Sequence, residues 1–277
     1  MIKKMLAVAI AALALVACTS QQKTEDAPEQ KVLVLYYSQT GATKTVAEEI
    51  QKQLGADIEA IEVEEAYDGD FGQTIERCQK EMAEGVTPAL KEMKVNVEDY
   101  DVIFLGYPVW FGTYALPIAT LVKDVTFEGK KVVPFCTFGS GGLGASTANL
   151  RTALPKAEVL DGYGVRNARI KAVEAEVARF LIEQGYKEGE IEALPAFMEQ
   201  HPVSEEEAAI FDQACSDYQF PLGTPVTVAG RTTSTSTDYL YTAVSKNQAG
   251  EEQTSSIMVT VSKEEGAKPE FTWVERN

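Results

Sequence analysis

The chain reads as an α/β protein: a parallel sheet wound by helices, followed by a smaller α+β unit with an antiparallel sheet. Three observations lead there. Over residues 31–186, short continuous apolar runs alternate with segments of helical periodicity. A strand covered on both faces has no polar side, and strands separated by helices pair in parallel through right-handed crossovers. After Gly185 the apolar period drops to two in four segments bounded by turn residues, the pattern of a half-buried antiparallel sheet. Length and composition agree: 277 residues, 45% hydrophobic and 24% charged, suffice for one medium and one small domain.

The first strand is "KVLVLYYS", a buried run ended by a turn. Val46, Ala47, Ile50 and Leu54 then recur at helical spacing, and Gly55 marks that helix's end. "DIEAIEVEE" is the second strand, and "QTIERCQKEMAEG" a polar helix. "YDVIFLGYP" and "YALPIATLVKDV", with Pro117 near the helix start, form the third pair. "KKVVPFCTF" and "ASTANLRTAL" form the fourth. "AEVLDGYGVR" is a short fifth strand, and "IKAVEAEVARFLIEQG" the last helix. In such a sheet ligands bind at the carboxyl ends of the strands, which singles out the loops after strands one, three and four.

Residues 187–203 form a polar, Pro-interrupted linker, and 204–277 the second domain. Ser204 and Glu207 match a capping box. They open a helix with Ile210, Phe211, Ala214, Cys215 and Tyr218 on one side. "TPVTVAG", "DYLYTAVS", "SSIMVTVS" and "EFTWVER" are its strands, with "KNQAG" and "KEEGAK" as hairpin loops. No motif in this domain carries chemistry.

The N-terminus is of a different kind. A basic start, Met1 to Lys4, precedes an apolar run from Met5 to Val16, too short to span a bilayer. "LVAC" follows and resembles a bacterial lipobox, so residues 1–17 are expected to be a lipoprotein signal peptide and Cys18 the lipidated residue. Residues 18–30 then form a polar tether that spans roughly 20 Å by linker scaling. The expected localisation is the cell envelope, lipid-anchored and facing the periplasm or the outside. Losing 1–17 removes two lysines and no acids, which takes the net charge from −17 to −19. Such acidity argues against a nucleic-acid partner, which needs Lys and Arg to neutralise phosphates. Cys78, Cys136 and Cys215 are widely spaced and lack a C-x-x-C, and Cys136 sits in an apolar run as a packed thiol. The single histidine, His201, lies outside every motif, which leaves histidine-based catalysis and metal sites without support.

Three loops remain. "SQTGAT", residues 38–43, joins a strand to a helix, where first-turn N–H groups and the helix dipole attract an anion. Ser38, Thr40 and Thr43 add hydroxyls, and Gly41 admits close approach. The loop is neither a P-loop nor a G-x-G-x-x-G turn. It suits a terminal phosphomonoester held without a counter-cation. "GYPVWFGT", residues 106–113, places Trp110 and Phe111 at the end of a buried strand, a place for stacking on a flat ligand; Gly106 and Pro108 set an unusual backbone path. "TFGSGGLGAS", residues 137–146, offers bare backbone through its glycines. Together they describe a site for a phosphorylated, planar, aromatic molecule.

These three stretches resemble the flavodoxins, which bind FMN in an open five-stranded parallel sheet ordered 2-1-3-4-5; the likeness covers about residues 31–186. The resemblance implies that Ser38, Thr40, Gly41 and Thr43, with the backbones of Gln39 and Ala42, hold the FMN phosphate. It implies that Pro108, Val109, Trp110, Phe111 and Gly112 line the isoalloxazine, with Trp110 stacking on it. Thr137, Phe138, Gly139, Ser140, Gly141 and Gly142 would clasp the other side, Phe138 standing in for an absent tyrosine. A loop carbonyl, with Gly112 the candidate, would accept a hydrogen bond from the protonated ring nitrogen N5. The implied function is electron transfer at low potential, with a redox protein or a quinone as partner. The alternatives are an FMN-dependent NAD(P)H:quinone oxidoreductase and a cofactor-free binding lipoprotein of the same fold. No metal is expected.

Overall fold

The computed structural model describes residues 30–139, 142–218, 220–246 and 250–276. The stretch expected to be a signal peptide, Cys18 and nearly all of the expected tether lie outside the described residues.

The first sheet is built on β1 (Val32–Tyr36), β2 (Asp57–Ala60), β3 (Val102–Trp110) and β5 (Lys131–Phe138), with β6 (Glu158–Val159) and β7 (Tyr163–Arg166) at its far edge. Its path runs β2-β1-β3-β5 and then β6 and β7, both parallel to β5. Counting β6 and β7 as one interrupted strand, the order is the expected 2-1-3-4-5. Helices α1 (Ala42–Leu54) and α5 (Val173–Glu183) bury Val46, Ala47, Ile50, Val177 and Leu181 against one face. Helices α2 (Phe71–Glu84), α3 (Leu116–Asp124) and α4 (Leu143–Ala153) bury Cys78, Ile118, Leu121 and Leu150 against the other. Two apolar layers thus sandwich strands whose central residues have no exposed surface.

The fifth strand is split for a traceable reason. Val132 of β5 pairs with Val159 and Phe135 with Tyr163, so three steps on one strand face four on the other. Pro134, between them, has no N–H to give to a ladder. The edge strand accommodates it with one extra residue, a bulge. Gly162 sits there because a Cβ would lie 2.1 Å from the Pro134 carbonyl oxygen.

Gly106 and Pro108 correct the expected backbone path. Both lie within regular β3, paired to Phe135 and Thr137 of β5. Gly106 is needed for space, since a Cβ there would meet the Phe135 ring at 2.1 Å. The chain turns later: β3 continues to Trp110, and β4 (Thr113–Tyr114) folds back antiparallel on it. The two turn residues, Phe111 and Gly112, have φ of 49° and 78°, the signature of a type I′ hairpin turn.

The second sheet has the order β12-β11-β10-β9-β8, all antiparallel. Its strands are β8 (His201–Pro202), β9 (Thr224–Thr232), β10 (Ser236–Lys246), β11 (Glu252–Ser262) and β12 (Glu270–Arg276). The two-residue β8 lies inside the stretch read as linker. Helix α6 (Glu205–Cys215) packs Phe211 and Ala214 onto Val228, Tyr241, Ile257, Val259 and Phe271. The capping box is formed: the Glu207 N–H donates to Ser204 Oγ at 3.3 Å, and the Ser204 N–H donates to Glu207 Oε2 at 2.9 Å.

Candidate functional site

All three loops singled out above fall at the carboxyl edge of the first sheet, after β1, β3 and β5. Helix α1 begins at Gly41, which takes φ 95°, and no side chain caps it. Its first turn holds no acidic residue. By contrast α2 and α6 each carry a complete capping box. The first N–H groups of α1 therefore have no side-chain acceptor among the described residues, and no acid in the helix's own first turn competes for an incoming anion. Ser38 holds the loop in shape, its Oγ accepting from the Gly41 N–H at 3.2 Å. Thr40 is exposed beside this helix start.

Thr43 and Thr137 join the first and third loops. Their hydroxyl oxygens are 2.8 Å apart, and both residues are buried, Thr43 with 1% of its surface exposed. Two hydroxyls carry two protons, and one is used between them. The second remains for a further acceptor. Helix α4 starts at Gly142, also with no side-chain cap. Ser140 and Gly141, expected in this clasp, lie outside the described residues. Phe138 corrects the expectation placed on it: it ends β5, is 5% exposed and belongs to the core, so its ring is not offered for stacking.

Beside this edge lies a cavity of about 560 Å³, within the usual range for small-molecule sites. Gln39, Val109, Trp110, Phe111, Gly112 and Gly139 of the expected set line it. Ser38, Thr40, Gly41, Ala42, Thr43, Pro108, Thr137 and Gly142 are not in its lining. They lie at the strand ends and helix starts of the same sheet edge, and Gln39 belongs both to that edge and to the cavity lining. Trp110 is held by edge contacts to Tyr37, at 5.8 Å between centroids, and to Tyr67, at 5.0 Å. Gln39 spends its amide on the Tyr67 carbonyl and the Thr74 hydroxyl.

Sequence reasoning missed the rest of the lining. Phe71, Thr74, Ile75 and Cys78 come from α2. Burial pushes the Cys78 thiol up to about 11, with Glu81 adding to the shift and Arg77 opposing it. Arg166, Ala168, Asp217, Tyr218 and Phe220 complete the wall. One signal was available: Arg166 is a charge ending an otherwise apolar strand, and it is buried. Burial lowers its pKa from the usual guanidinium value, while Asp217 acts the other way. Nothing in sequence spacing places Asp217, Tyr218 and Phe220 here, since they come from the second unit.

The open parallel α/β sheet thus carries, at its carboxyl edge, an uncapped, hydroxyl-lined helix start beside an aromatic cavity, the place where such sheets bind ligands. A family model described as Flavodoxin matches residues 31–180, and the chain belongs to that family. Among solved structures, a candidate flavoprotein from Bacteroides eggerthii is 31% identical, with a TM-score of 0.46, over 54% of this chain and 99% of its own. A flavoprotein from Lactobacillus acidophilus, solved in complex with FMN, is 26% identical, with a TM-score of 0.42, over 53% of this chain and 99% of its own. No curated protein matches the chain.

Proposed function

We propose that this flavodoxin-family chain binds FMN and transfers electrons, tethered to the cell envelope through a lipid on Cys18. The observation that carries the FMN reading is the start of α1. It is uncapped, free of acids and lined by hydroxyls, and it shares Gln39 with an aromatic cavity. A phosphate at the helix start and a planar ring in the cavity match these two halves. Ser38, Thr40 and the N–H groups of Ala42 and Thr43 would hold the phosphate, with the spare proton of the Thr43–Thr137 pair. Trp110 and Phe111 would flank the ring. When bound, the flavin supplies the redox chemistry, exchanging electrons one or two at a time. The acidic chain disfavours added negative charge on the reduced ring, which sets a low potential. Arg166, the buried cation of the cavity, acts against that trend.

A second reading is an FMN-dependent oxidoreductase that reduces quinones. It is favoured by the exposed rings of Phe71 and Phe111 lining the cavity, which suit a small planar apolar acceptor. Consumption of NAD(P)H with an added quinone separates it from a pure carrier. The anchoring reading rests on residues 1–18 alone, and radiolabelled palmitate appearing on the wild type and not on Cys18→Ser tests it. For FMN itself, residues 31–277 should purify yellow or take up added FMN with a visible spectral shift. A colourless protein that ignores added FMN removes the proposal.

A further inference from the structure

The second unit reaches into the cavity through a continuous chain of contacts. Arg166, at the end of β7, donates from Nε to the Gly139 carbonyl of the third loop at 3.4 Å. It donates from Nη1 to the Phe271 carbonyl of β12 at 2.8 Å. Its guanidinium carbon lies 3.9 Å from the centroid of the Phe271 ring and 5.2 Å from that of Tyr218. Tyr218 in turn meets Phe271 edge-on at 4.9 Å and Phe220 at 5.8 Å. A cation stacked on two rings and bonded to a backbone carbonyl in each unit fixes one unit on the other.

The consequence appears in exposure. Phe71 is 80% exposed, Phe111 52% and Phe220 50%, and all three line the same cavity. They come from α2, from the turn after β3, and from the second unit. Single exposed apolar rings are ordinary, but three from separate elements converging on one cavity mark a site whose occupant is apolar and flat. Asp217, Tyr218 and Phe220 belong to the same lining as Trp110.

We propose that the second unit is a working part of the cofactor site: Tyr218 and Phe220 form its outer wall and contact the flavin ring, and Arg166 positions that wall against the third loop. This rests on the FMN reading above. It gives the C-terminal unit a role that its own sequence does not display.

The experiment titrates full-length protein in detergent with FMN and with riboflavin. Phe220→Ala removes a half-exposed ring and should weaken both ligands by the same factor, roughly three- to tenfold, because the wall meets the ring and not the phosphate. Phe220→Tyr should restore wild-type affinity. Independently of any variant, FMN added to the wild type should slow hydrogen exchange in a peptide spanning residues 213–222. Wild-type affinities in Phe220→Ala, or unchanged exchange in that peptide while FMN binds, overturn the proposal and leave the FMN reading standing. A wild type that binds neither flavin removes both.

Discussion

The hydroxyl oxygens of Thr43 and Thr137 lie 2.8 Å apart, both buried, joining two loops 94 residues apart in the chain. One is at the start of α1 and the other near the end of β5. Thr43→Val leaves the Thr137 hydroxyl without its partner and should cost about 1–3 kcal/mol of stability. Thr43→Val with Thr137→Val should cost less than the two single changes added together, since both polar groups then leave. Urea denaturation of the four proteins measures this coupling. The same change should weaken FMN and leave riboflavin unaffected.

Phe111 holds a left-handed backbone, at a cost of about 1–2 kcal/mol for a residue with a Cβ. Type I′ turns favour Asn at that place, followed by the glycine already present. Phe111→Asn should therefore raise stability by about 1 kcal/mol while weakening FMN. Opposite signs in denaturation and in flavin titration would show that the strain is kept for the ring. Equal or improved flavin affinity would show that Phe111 is not part of the site.

The capping box of α6 supplies a control. Ser204→Ala removes the acceptor of the Glu207 N–H and should cost about 1 kcal/mol. The second unit's core is otherwise unchanged, so FMN affinity should stay at the wild-type value. Thermal denaturation and flavin titration of one preparation read both.

Alkaline pH tests the buried thiol. Burial raises Cys78 from about 9 to about 11 in the folded chain. The folded state therefore binds a proton that the unfolded state releases between those values. The contribution is present below pH 9 and lost as pH rises toward 11. Stability of Cys78→Ala should fall less steeply over pH 9–11 than that of the wild type. Equal slopes would place the thiol's titration elsewhere.

Much of the fold was legible because its signals are local. Ser204 and Glu207 announce α6, and the alternation around Ile257 and Val259 announces β11. Alternating strands and helices implied a parallel sheet, and the resemblance to the flavodoxins implied its order. The errors have a common origin in contacts between distant residues. Gly106 and Pro108 look like a bend until Phe135 is seen filling the space over Gly106. Phe138 looks available until the core claims its ring. The break at residues 160–162 depends on Pro134 in the neighbouring strand. At the site, hydroxyls and glycines at strand ends were readable. Arg166 and Phe220 were not, because their positions follow from how two units pack.

The uncapped start of α1 also bears on the chain without its cofactor. A helix whose first N–H groups have no acceptor frays from that end, and on the FMN reading that end would be the phosphate's seat. The phosphate would then act as the missing cap, making cofactor uptake and the final ordering of α1 one event. An empty chain awaiting its flavin would show rapid amide exchange at residues 42–44, and loading would extinguish it.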